Sequence, residues 1–62
     1  MFPIGQLKDF SLAMKIKEEL NKKNINLFIT EQDESIFLWV DKKEDIEYSL
    51  IEFERAFGKV DI

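Results

Sequence analysis

Hydrophobic and polar positions change period three times along the chain, and each change marks a passage between strand and helix. Phe2 to Leu7 is a short apolar run that can form a strand with Phe2 and Ile4 on one side, and Pro3 and Gly5 restrict it to an edge position or a short stretch of pairing. From Asp9 the period lengthens: Leu12, Ala13, Ile16 and Leu20 recur at spacings of three and four, with charged residues on the other faces. This predicts an amphipathic helix. Asp9 is its expected N-cap, and Asn24, after the Lys22-Lys23 pair, is its expected left-handed terminator.

The period then falls to two, with Ile25, Leu27 and Ile29 on one side and Asn26, Phe28 and Thr30 on the other. Glu31-Gln32-Asp33-Glu34 is a polar turn leading into a second alternation, Ile36, Leu38 and Val40 against Phe37 and Trp39, so the two strands form a hairpin. Asp41 and Glu44 have the spacing of a capping box. The helix it would open has an apolar stripe at Ile46, Leu50, Phe53 and Phe57, with Gly58 as its stop. Residues 59–62 are expected to be a tail or the start of a linker, which leaves a single small domain over residues 1–58.

The order β-α-β-β-α predicts an α+β domain with a three-stranded sheet of order 1-3-2. A right-handed crossover places both helices on one face, as in a truncated ferredoxin-like unit. The aliphatic sides of the strands would pack on Leu12, Ile16, Leu20, Ile46, Leu50, Phe53 and Phe57. The opposite side of the sheet is left open, and Phe28, Phe37 and Trp39 fall on it. Such rings either cover one another as cross-strand pairs or form a contact surface for a protein, a second copy or a membrane interface.

Composition narrows the chemistry. A chain of 62 residues has room for one small core. It has no cysteine, which excludes disulfides and thiolate chemistry, and no histidine, which removes the commonest general base and the imidazole metal ligand. No Gly-rich loop or elbow surrounds any serine, threonine or tyrosine hydroxyl, so neither a nucleophilic site nor a phosphate cradle is expected. Glu31, Asp33 and Glu34 lack the calcium-loop pattern and are expected to form a solvated turn. No catalytic residue, cofactor, metal or small-molecule ligand is therefore expected.

No uncharged run exceeds seven residues, against the roughly 18 of a membrane span, and the N-terminus lacks the pattern of a secretory signal. The net charge is −4. Residues 1–24 hold five lysines and three acids, residues 25–62 four cations and ten acids, so the halves carry +2 and −6. Acidic residues beside the rings disfavour nucleic acid as a partner. The helical lysines Lys15, Lys22 and Lys23 form either a solvated face or a weak contact with anionic lipid heads of an inner leaflet.

The span from Asp9 to about Phe57 resembles the N-terminal cytoplasmic domain of bacterial rhomboid intramembrane serine proteases of the GlpG type. The likeness rests on Asp9-Phe10-Ser11-Leu12-Ala13, on Ile25-Asn26-Leu27-Phe28-Ile29, and above all on Leu38-Trp39-Val40-Asp41 followed by a charged helix. The resemblance implies a soluble, non-catalytic accessory domain on the cytoplasmic face of the inner membrane, serving regulation, positioning or assembly. It also implies that the protease's serine and histidine lie in membrane helices outside this chain, with those helices or a second copy as partner. A free-standing α/β interaction module that dimerises through its sheet is the alternative. The expected contact residues are Phe28, Phe37, Trp39, Lys15, Lys22 and Lys23.

Overall fold

The computed structural model describes residues 1–58, for the last two of them the backbone alone. The place of Phe57 in the second helical stripe and the 59–62 tail lie outside the described residues. Strand β1 (Phe2–Leu7), helix α1 (Phe10–Asn21), strands β2 (Leu27–Gln32) and β3 (Ser35–Val40) and helix α2 (Ile46–Gly58) follow in the expected order. The sheet order is β1-β3-β2, with β3 antiparallel to both neighbours. It is a small α+β fold. Helix α1 lies over β2 and β3 and helix α2 over β1, and the two helices pack against each other on the same face.

Local chemistry explains most boundaries. The Asp9 carboxylate accepts the backbone N–H groups of Ser11 at 2.9 Å and Leu12 at 3.3 Å, which satisfies donors that a helix start leaves unpaired. Asn24 takes the left-handed conformation, with φ 62°, and the Ile25 N–H returns to the Leu20 carbonyl at 3.0 Å. Asp33 and Glu34 are also left-handed, with φ of 53° and 65°. Two successive positive φ values make the tight two-residue turn whose twist suits a hairpin. Glu31 and Gln32 therefore belong to β2 and pair with Ile36 and Ser35, and the loop is only two residues long.

The core is built from Ile4, Leu7, Ala13, Ile16, Leu20, Ile25, Leu27, Ile36, Leu38 and Val40, all buried, with Leu12, Ile29, Ile46 and Phe53 packed around it. In β1 the pairing shifts between Pro3 and Gly5. Phe2, Gly5 and Leu7 consequently face the core opposite Val40, Leu38 and Ile36, and Pro3 and Gln6 lie opposite Trp39 and Phe37. The shift lets Ile4 be buried as well.

Helix α2 differs from its expected orientation. Leu50, placed by the sequence in the core stripe, is 39% exposed, whereas Ser49 is fully buried and Glu52 nearly so. The cause is a close contact between distant parts of the chain. The ring of Phe53 occupies the space beside Gly5: a Cβ added there would meet the ring carbons at 2.5 to 2.7 Å. Seating this ring on bare backbone fixes the rotation of α2 and turns Ser49 inward. The expected capping box is also absent. Asp41 is exposed, a single 3-10 turn at Lys43–Asp45 precedes α2, and no side chain caps that turn. Gly58 is the last residue of α2 and not the residue after it.

Two substitutions test this packing by chemical denaturation. Gly5→Ala forces the Phe53 ring to move and is expected to cost about 1–3 kcal/mol. Ser49→Ala removes a buried hydroxyl that has no hydrogen-bond partner, and should raise stability by about 1 kcal/mol with an unchanged denaturant slope.

Candidate functional site

The side of the sheet turned away from the helices is formed by alternate residues of the three strands. Pairing places Phe28 beside Trp39 and Thr30 beside Phe37, with Pro3 and Gln6 of β1 on the other flank of β3. Gln32 and Ser35 complete it at the hairpin end. None of these eight residues is charged. Among the described strand residues, three aromatic rings, two amides, two hydroxyls and a proline form this face, although 35% of the chain's residues are charged.

Polar links hold the rings in place. The Trp39 indole N–H donates to the Thr30 hydroxyl at 2.9 Å, which fixes the ring plane against β2. The Gln6 amide donates to the Ser35 hydroxyl at 3.1 Å, tying β1 to β3. Phe28 is 39% exposed, and Phe37 and Trp39 are half-buried. The rings cover part of one another and still present apolar surface to solvent. The indole partner on Thr30 was not expected from the sequence; it follows from the diagonal reach of a large side chain across an antiparallel pair.

The expected lysines lie elsewhere. Lys15 and Lys22 belong to α1 and its C-cap, in the helical layer on the far side of the sheet. Lys15 lines the groove between the helices, Lys22 sits 3.4 Å from the Glu19 carboxylate, and Lys23 is exposed beyond the helix end. Glu18 and Glu19 intervene along α1, so these lysines form no continuous basic face. One flat partner cannot touch the rings and the lysines together, because the helix and sheet layers separate them.

The groove between α1 and α2 holds about 240 Å³ and has Leu12, Ile16 and Ala56 on its floor, with Lys15, Glu19, Glu52 and Arg55 around it. That volume is below the roughly 300–1,000 Å³ of sites for drug-sized ligands. A second depression, of about 360 Å³, is a more open hollow lined by Asp9, Ser11, Leu12, Met14, Lys15 and Glu18 of α1 and its cap alone, with no second element to enclose a ligand. In the groove, Arg55 donates to Glu52 at 3.1 Å. Partial burial, together with the charge of Glu52 and the hydrogen bond to it, raises the Tyr48 phenol above its ordinary value of 10. These groups satisfy one another across one turn of α2 and serve packing.

Among the described residues no group of three or more carboxylates is placed to hold a metal ion, and no helix is long and apolar enough to cross a membrane. No family model, curated protein or solved structure matches the chain.

Thr30→Val keeps the shape of the strand residue and removes the indole's acceptor, so stability should fall by about 0.5–1.5 kcal/mol, with a change in Trp39 emission. The sign for Tyr48 follows from linkage. A phenol that holds its proton more tightly when folded stabilises the fold below pH 10, and this contribution disappears as pH rises from 10 through the higher folded value. Absorbance titration of Tyr48 should show the raised midpoint, and Glu52→Gln should lower it.

Proposed function

We propose that this chain is a non-catalytic accessory domain of a rhomboid-type intramembrane serine protease, working at the cytoplasmic face of a membrane. Its free sheet face contacts the cytoplasmic surface of the protease's own membrane-embedded part. The observation that carries the reading is that none of the eight described strand residues on that face is charged. Depletion of charged residues with enrichment in aromatic ones is the mark of the central part of a protein–protein contact. A solvated sheet face of a chain this rich in charge would be expected to carry lysine and glutamate. The carboxylates of Glu31, Asp33 and Glu34 at one end would repel an anionic lipid surface or a nucleic acid, and so favour a protein partner.

The resemblance in Leu38-Trp39-Val40-Asp41 supports the same reading from another direction. These residues form the end of the central strand and its exit toward α2, where they build both the core, through Leu38 and Val40, and the free face, through Trp39. Proteolytic chemistry would reside in the membrane-embedded part, and the role of this domain would be to position or regulate that part.

The reading frame that encodes the chain gives the first test. A continuation with several apolar helices and a Gly-Xaa-Ser motif is expected, and a frame that lacks them removes the proposal. The second test measures affinity. Titrating the isolated domain with the solubilised membrane part should perturb Trp39 emission. Phe28→Ser should weaken that binding about tenfold or more while shifting the unfolding midpoint little, because Phe28 is already substantially exposed.

A further inference from the structure

Strands β1 and β2 are the two edges of the sheet, and they are not equally protected. Pro3 and the register shift beside it blunt β1, since each interrupts the row of groups an added strand would bind. Strand β2 has neither device. Leu27–Gln32 pairs with β3 without interruption and contains no proline, glycine or lysine. The hairpin closes on Gln32 and Ser35, and hydrogen-bonded pairs alternate along an antiparallel ladder. That alternation directs the backbone groups of Leu27, Ile29 and Glu31 away from β3.

Apolar side chains flank this edge on both sides of the sheet. Phe28 lies on the free face. On the helical side, α1 turns Leu12, Lys15, Ile16 and Glu19 toward α2. A step of about 100° per residue then puts Phe10, with Lys17 beside it, on the opposite side of α1, toward the outer edge of β2. Met14 instead turns away from the sheet, into the depression it shares with Leu12, Lys15 and Glu18. Phe10 is 51% exposed, and nothing in the contact proposed for the free face uses it.

Charge is arranged in opposite senses at the two ends of the edge. Glu31, Asp33 and Glu34 close the hairpin end, and Lys22 and Lys23 stand at the end of α1 just before β2. A second copy running parallel would set acid beside acid. An antiparallel copy sets each acidic hairpin beside the other's lysine pair.

We propose that the β2 edge pairs with β2 of a second copy of this chain, antiparallel, about a two-fold axis through Ile29. In this register Leu27 faces Glu31, Ile29 faces Ile29 and Phe28 faces Thr30 of the other copy, so each outward-facing backbone group meets another. The two sheets become one of six strands, with α1 of each copy lying along the seam. Phe37 and Trp39 remain uncovered, so the pairing is independent of the contact proposed above. A strand pair with a few apolar side chains buries less than the roughly 800 Å² per partner of a standard stable interface, which makes the dimer weak and concentration-dependent.

Sedimentation and amide hydrogen exchange, over roughly a hundredfold range of concentration reaching about 1 mM, test it directly. Mass should rise toward the dimer. The amides of Leu27, Ile29 and Glu31 should gain protection with concentration, and the Trp39 indole should not. Glu34→Lys and Lys23→Glu, both at exposed positions, should each weaken association about tenfold at low salt, because two-fold symmetry counts each change twice. The double variant should recover the dimer. A chain that stays monomeric throughout overturns the proposal. So does a dimer that leaves the three outward amides unprotected, or whose double variant gains nothing over the single ones.

Discussion

The two-residue turn at Asp33 and Glu34 sets the register on which the molecule depends. Both residues hold positive φ, and the turn closes Gln32 on Ser35. Because side chains alternate along a strand, displacing this pairing by one residue would turn Leu38 and Val40 to solvent and Phe37 and Trp39 beneath the helices. A left-handed glutamate costs roughly 1–2 kcal/mol, and it is held there by burial of Leu27, Ile36, Leu38 and Val40 on the opposite face. The aliphatic side of the hairpin thus maintains the turn, and the turn holds the rings outward.

With that register fixed, the sheet has two unlike sides and two unlike edges. One side carries the core and the charged helical layer. The other carries an uncharged aromatic surface, with the indole of Trp39 secured on Thr30. The β1 edge is broken by Pro3 and the register shift, and the β2 edge is continuous from Leu27 to Gln32. The free face and the open edge can therefore be occupied at once, one by a protein surface and the other by a strand.

Those parts of the fold governed by local chemistry were legible in the sequence. The order of elements, the Asp9 cap, the left-handed Asn24 and the outward direction of Phe28, Phe37 and Trp39 all follow from residues within a few positions of one another. The rotation of α2 does not. Ile46, Leu50, Phe53 and Phe57 are the more apolar stripe, yet the helix buries Ser49 and Glu52 and leaves Leu50 half outside. That choice depends on the Phe53 ring meeting Gly5, a contact between residues far apart in the chain. The separation of the lysines from the rings was legible as well, because two helices on one face of the sheet put helical lysines and free-face rings on opposite sides of the molecule. The Asp41–Glu44 spacing was misleading because the chain leaves β3 through a 3-10 turn instead of entering α2 directly.

The outward register of Trp39 is best tested by nuclear Overhauser contacts of its indole protons in the isolated domain. Contacts to Phe28 and Thr30, without any to the methyl groups of Ala13, Ile16 or Leu20, are the predicted result. Strong contacts from the indole to those helical methyls would place the ring between sheet and helices, and neither the uncharged face nor the open β2 edge would then exist as described.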